Sequence, residues 1–169
     1  MSSLSEDDPL RMTIEPYTAE HRDAVVQLSL RAWAPVFASL QSALEPAISQ
    51  VLFSDWRASQ RQAVEAVCDD EDAHVWVAIV GGEPVGFVAV KLHAAEKIGE
   101  VYMIAVDPAA QRRGVGAALM AFATDWMREA GMLVAMVATG GDPGHAPARR
   151  AYEKLGFAPL PLAQYYKRL

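Results

Sequence analysis

Apolar and polar residues alternate with a period of two across Met12-Thr13-Ile14-Glu15-Pro16-Tyr17, which predicts a first strand stopped by a proline turn. The period then changes. Val25, Leu28, Trp33 and Phe37 give a partial apolar face to a helix predicted over 19–38, with Thr18 as its N-cap. A second helix is predicted over 48–67, with Val51, Leu52, Trp56, Ala63 and Val67 inward, before Asp69-Asp70-Glu71-Asp72 breaks the pattern as a solvated loop. Apolar runs at 75–80 and 85–92 flank Gly81-Gly82-Glu83-Pro84 as a hairpin, and residues 100–106 make the next strand. Val115, Leu119, Phe122 and Trp126 share one face of a helix over 115–130, which Gly131 ends. A strand at 132–138, a loop at 139–144 and a helix opening near Pro147 and ending at Gly156 follow. One or two closing strands are expected within 157–169. The order β-α-α-β-β-β-α-β-α-β predicts an α/β fold, with a mixed sheet flanked by helices.

Composition narrows the class. A chain of 169 residues, 52% hydrophobic and 21% charged, is expected to fold as one domain over 11–169 behind a flexible acidic tail at 1–10. The net charge of -6 argues against broad attraction to nucleic acid or an anionic membrane, while leaving room for a local basic pocket. The N-terminus is acidic where a signal peptide is basic and then apolar, and no apolar run reaches membrane-spanning length. One cysteine, Cys68, excludes an internal disulfide and suits the cytoplasm. With that cysteine, His21, His74, His93 and His145 show no metal-ligand spacing, so no metal is expected.

The most informative segment runs from Ile104 to Ala117: Ile-Ala-Val-Asp-Pro-Ala-Ala-Gln-Arg-Arg-Gly-Val-Gly-Ala. A strand enters a cationic, glycine-punctuated turn and then a helix. N–H groups at a helix start lack intrahelical partners, and the helix dipole adds partial positive charge. Gly114 and Gly116 allow close main-chain approach, and Arg112 and Arg113 chelate phosphate oxygens. The segment therefore predicts a phosphate or diphosphate site. It lacks a Walker-type Gly-Lys-Ser/Thr, and Leu119 stands where a dinucleotide fingerprint has its third glycine.

Gln111-Arg112-Arg113-Gly114-Val115-Gly116 resembles the Gln/Arg-x-x-Gly-x-Gly/Ala signature of the GNAT superfamily of acetyl-CoA-dependent N-acyltransferases. Ala148-Arg149-Arg150-Ala151-Tyr152-Glu153-Lys154-Leu155-Gly156-Phe157 resembles a second segment of that family, in family order. The resemblance implies a mostly antiparallel central sheet of six to seven strands with about four helices. It also implies splayed fourth and fifth strands whose gap takes the pantetheine arm of acetyl-CoA. Main-chain groups of Ile104, Ala105 and Val106 would bind that arm. Gln111, Arg112, Arg113, Gly114, Val115, Gly116 and Ala117 would cradle the diphosphate. His145 stands where the family often has asparagine, and either binds the cofactor or only begins the helix.

Acyl transfer from the thioester to an amine needs a positioned donor, a polarised carbonyl, a deprotonated amine and a protonated leaving thiolate. A backbone N–H near Val106 would polarise the carbonyl. Tyr152 is the candidate acid, since a phenol is protonated at neutral pH; its other reading is packing on a face shared with Ala148, Ala151 and Leu155. Glu100 is the candidate base, with His93 less favoured; alternation groups Glu100 with Tyr102 and Ile104 unless a bulge breaks the parity. Trp33, Phe37 and Trp56 either wall an acceptor pocket or belong to the core. The expected activity is acetyl transfer to a primary amine by direct attack in a ternary complex. The alternatives are a non-catalytic acyl-CoA-binding or sensor module and an interaction domain that takes an anionic partner. The partners expected are acetyl-CoA and an amine-bearing small molecule or protein, with the chain a monomer or homodimer.

Overall fold

A computed structural model describes residues 11–169; the acidic segment expected as a tail at 1–10 lies outside them. The described residues form a sheet ordered β1 (Thr13–Pro16), β2 (Ala73–Val80), β3 (Glu83–His93), β4 (Ile98–Val106) and β5 (Val134–Val137). Neighbours are antiparallel except the last pair, β4 and β5, which is parallel. Helices α1 (Arg22–Ala43), α2 (Pro46–Phe53) and α3 (Trp56–Asp69) precede β2, α4 (Val115–Glu129) joins β4 to β5, and α5 (Ala146–Lys154) follows β5.

Each face of the sheet carries its own apolar layer. Val88, Val90 and Val101 pack with Leu119, Met120, Ala123 and Met127 of α4, while Val77, Phe87, Ala89 and Ala105 pack with Val25, Val26, Leu28, Val64 and Val67 of α1 and α3. Each of the Val, Leu, Met and Phe side chains among them contributes about 1.5–3 kcal/mol by leaving water. Phe122 and Trp126 stay half-buried, edge-on to Trp76 at 5.2 and 4.9 Å between centroids, so the apolar face of α4 is wider than its heptad-like stripe suggested.

Two expectations give way. The sheet has five strands and not six to seven, because no strand forms within 157–169. Pro159 and Pro161 fall two apart there and remove ladder donors from the same side of any strand. The helix expected over 48–67 is two helices. The Asp55 side chain accepts from the Ala58 N–H at 3.3 Å and starts α3 afresh, leaving Val51 and Leu52 facing solvent rather than inward.

The feature that positions the site is in β4. Ala89 pairs with Met103, yet Val90 pairs with Val101, so Tyr102 is an extra residue, a β-bulge. Before it, Gly99 and Val101 face α4; after it, Ile104 and Val106 take that face while Met103 and Ala105 turn toward α1 and α3. Simple alternation would group Glu100 with Ile104. The bulge instead sets Glu100 on the α1–α3 face with Met103 and Ala105, opposite Ile104. Pairing with β5 stops at Val101–Val137, so the last five residues of β4 run on without that neighbour.

Candidate active site

The turn expected to hold an anion joins β4 to α4 through a short capped turn at Pro108–Ala110. Asp107 donates its N–H to the Val85 carbonyl at 2.8 Å, and its carboxylate caps the turn Pro108–Ala110 by accepting from Ala109 at 3.0 Å. Arg31 of α1 donates Nε to the same carboxylate at 3.0 Å. Burial favours the neutral acid, but the Arg31 guanidinium and the Ala109 N–H outweigh it and hold the Asp107 carboxyl below its ordinary value. Arg112 and Gly114 adopt φ of +60° and +82°, which folds the chain back before α4. A Cβ at Gly114 would meet nothing within 4 Å, so open space lies over the turn. Gly114 gives α4 no side-chain cap, and the first bond within the helix runs from Ala118 N–H to the Gly114 carbonyl at 2.9 Å. The N–H groups of Val115, Gly116 and Ala117 therefore have no bonded acceptor among the described residues. Arg112 and Arg113 are exposed, with no carboxylate partner among those residues. The Gln111 side chain turns back, donating Nε2 to the Val106 carbonyl at 3.1 Å.

Along β4 the ladder decides which main-chain groups are free. Asp107 bonds to Val85 and the Ala105–Phe87 pair lies on the same side, so the N–H and C=O of Ala105 point to β3. Those of Ile104 and the N–H of Val106 point to the edge that β5 has left, where the Val106 carbonyl already accepts from Gln111. Of the three main-chain positions singled out in the sequence, two face the gap and Ala105 is committed to the sheet.

At the other end of β4, Glu100 meets His93, with Nε2 2.7 Å from Oε2. Lys91, directly across from Glu100, is bonded to Asp70 at 2.7 Å and lies over the Tyr102 ring at 4.3 Å. The Lys91 ammonium bond and the Asp72 N–H depress the Asp70 carboxyl, and the Asp70 bond raises Lys91. The sequence nominated Glu100 and His93 as rival bases; the hairpin makes them partners.

Tyr152, on α5, is half-buried and packs with Phe157 at 6.1 Å between centroids. Burial pushes its phenol above the usual value, which keeps it protonated. Ala151 and Leu155 are exposed, so the packing face expected around Tyr152 is incomplete. His145 ends the turn Pro143–His145 and bonds Asp142 through Nδ1. Asp142 also accepts from the Ser39 hydroxyl of α1 at 2.6 Å and from the Gly144 N–H at 3.1 Å, while Arg149 donates to the Asp142 carbonyl at 2.8 Å. Burial favours neutral Asp142, but the Ser39 and His145 bonds prevail and hold its carboxyl low. Sequence reasoning missed Ser39 and Asp142. An Asp two residues before a Gly and three before a His is a turn signal that pointed there; the Ser39 contact spans 103 positions and had no local trace.

The aromatic residues divide. Phe37 stacks on Trp56 at 4.6 Å and 15°, with Phe53 edge-on at 5.9 Å, joining α1, α2 and α3. Trp33 sets its edge against buried Phe87 at 6.4 Å, and both Trp33 and Trp56 pack against the α1–α3 core layer. Among the described residues there is no group of three or more His, Cys, Asp or Glu placed to hold a metal ion, and no helix long and apolar enough to cross a membrane.

The chain is 35% identical over 147 residues to a mycothiol acetyltransferase of Amycolatopsis mediterranei, a match covering 82% of this chain and 43% of that protein. It is 38% identical over 97 residues to the mycothiol acetyltransferase of Streptomyces avermitilis, covering 53% of this chain and 31% of that one. The chain thus spans less than half the length of these curated relatives. Its fold superimposes on an N-acetyltransferase from Thermoplasma acidophilum solved with coenzyme A, with a TM-score of 0.66, 14% identity, and coverage of 88% of this chain and 90% of that one. It also matches the ribosomal-protein-S18-alanine N-acetyltransferase of Escherichia coli, with a TM-score of 0.63, 19% identity, and coverage of 86% and 77%. The sequence profile of the acetyltransferase (GNAT) family matches residues 35–157, most of the described sheet and the whole anion turn. By that match, and with the turn, the gap beside β4 and the α5 tyrosine in the order its motifs demand, the chain belongs to the GNAT acetyltransferase family.

Proposed function

We propose that residues 11–169 form one catalytic domain that moves an acetyl group from acetyl-CoA to a primary amine by direct attack in a ternary complex. The observation that carries this reading is the turn at 111–117. Among the described residues, three helix-start N–H groups without acceptors, two arginines without carboxylate partners and open space at Gly114 occur together in this one turn. They fit a diphosphate: the N–H groups chelate, and Arg112 and Arg113 add charge-assisted bonds. The edge groups of Ile104 and Val106 would hold the pantetheine arm as an added strand, and the splay beyond Val101 gives it room. His145 keeps Nε2 for a contact to that arm, because Asp142 occupies Nδ1.

When bound, acetyl-CoA supplies an activated thioester carbonyl. The Val106 N–H, at the gap, would polarise it. Glu100 would take the proton from the acceptor ammonium on the α1–α3 face, where Phe37 and Trp56 wall the approach and Trp33 backs them. Tyr152 packs toward the α4 layer and would hold at Oη the proton that the departing sulfur takes up. Base and acid thus lie on opposite faces of the sheet, with Glu100 in the last paired stretch of β4 before the gap opens. The mycothiol acetyltransferase relatives put mycothiol-related amines first among acceptors to try. A reducing cytoplasm suits the chain's single thiol.

The test is direct. Acetyl-CoA should raise the melting temperature, and mixing with a panel of amines should release free thiol. No stabilisation by acetyl-CoA refutes the reading. Stabilisation without thiol release from any amine marks a binding module instead.

A further inference from the structure

Glu100 has two nearby cations to choose from, and the fold denies it the stronger. Lys91 is its direct cross-strand neighbour, but the Lys91 ammonium is drawn to Asp70 at 2.7 Å and covered by the Tyr102 ring. What reaches Glu100 is the imidazole of His93, two residues along β3 on the same face, at 2.7 Å. The distinction matters chemically. An ammonium on the carboxylate stays charged at neutral pH and holds it as a weak base. An imidazole donates one N–H without a net charge when neutral and adds charge only when protonated. Glu100 is the more sheltered of the two, its side chain 21% exposed against 44% for His93. His93 also lines an open cleft with Asp70, Glu71, Asp72, His74 and Lys91.

We propose that His93 is a positioning residue for Glu100: its Nε2–H fixes Oε2, leaving Oε1 as the atom that takes the acceptor's proton. An ionised carboxylate only accepts, so Nε2 carries the hydrogen in this pair. The step balances: an N–H bond of the ammonium breaks, an Oε1–H bond forms, and the amine lone pair becomes free to attack. The reverse transfer, to water, resets Glu100. The other ionisable groups facing the pair are Lys91, Asp70 and Tyr102, with Glu71, Asp72 and His74 across the cleft. The Lys91–Asp70 bond is common to every His93 variant. The inference rests on the proposed acetyl transfer, and its test separates the two.

In the free protein, long-range nitrogen NMR reads which ring nitrogen of His93 carries the proton. The expected result is Nε2–H in the wild type and a shifted tautomer balance in Glu100→Gln. In turnover, His93→Ala should lower kcat about tenfold to a hundredfold, the scale for a misplaced catalytic group, with KM for acetyl-CoA within about twofold. His93→Gln presents an amide N–H at the same reach and should retain kcat within about threefold. A proton on Nδ1 in the wild type, wild-type turnover by His93→Ala, or equal losses in the Gln and Ala variants overturns the proposal with acetyl transfer intact. Absence of thiol release by the wild type, whatever the NMR shows, overturns acetyl transfer and this role with it.

Discussion

The two ends of β4 offer binding groups of different kinds. At the Val106 end, the binding groups are main-chain N–H donors whose direction is set by φ at Arg112 and Gly114, by the cap on Asp107 and by the ladder to β3. Side chains there add charge but do not define the shape. At the Glu100 end, the proposed chemistry would depend on side chains brought across a hairpin, where His93 meets Glu100 and Lys91 meets Asp70 and Tyr102. The first arrangement tolerates drift in sequence so long as the glycine stays. The second is altered by any one substitution, which is where members of a family sharing one donor are free to diverge in acceptor and in pH response.

That contrast can be broken from either end. The largest effect is expected at the side-chain end: Glu100→Gln should lower kcat by about 10²–10⁴ with acetyl-CoA affinity unchanged, measured by steady-state kinetics and calorimetry. A kcat near wild type would move the base elsewhere. Tyr152→Phe should slow turnover by about tenfold to a hundredfold and leave donor binding alone, since the ring stays packed on Phe157. Asp142→Asn removes the charge that Ser39 and His145 stabilise and should cost about 1–3 kcal/mol in denaturant unfolding. The sign with pH follows from the depressed carboxyl. Its contribution is present above the unfolded carboxylate pKa and is lost as pH falls through the lower folded value, so wild type and variant should converge in acid. The smallest effect is at the main-chain end: Gly114→Ala meets no atom but must hold φ +82°, at a cost of about 1 kcal/mol in stability, with a matching loss of acetyl-CoA affinity.

The same contrast governs what the sequence could reveal. The anion turn was legible because its chemistry is contiguous: strand, two arginines, two glycines and a helix within fourteen residues. Glu100, His93 and Tyr152 were legible as residues, since each carries a titratable group beside a strand or helix end. The face Glu100 shares with Met103 and Ala105 was not, because it depends on the Tyr102 bulge, which leaves no composition signal and reverses the parity of everything after it. The closing strands failed for a local reason that was in view: Pro159 and Pro161 outweigh the apolar residues between and beyond them. The break between α2 and α3 was also in view, as Ser54-Asp55 ahead of Trp56, but the apolar positions on either side masked it. Ser39–Asp142 is a contact between distant segments, and only packing could disclose it.

Gly99 ties the two ends together. A methyl group there would lie 2.5 Å from Met127 Cγ, and Met127 is 2% exposed, so its thioether has nowhere to retreat. The far end of the same helix is Val115, twelve residues and about 18 Å away, in the first turn over the cradle. A stiff rod wedged at its tail swings at its tip. Gly99→Ala would therefore misaim the amides proposed to hold the phosphates, which would make this unobtrusive position on the sheet a hidden fulcrum for donor capture.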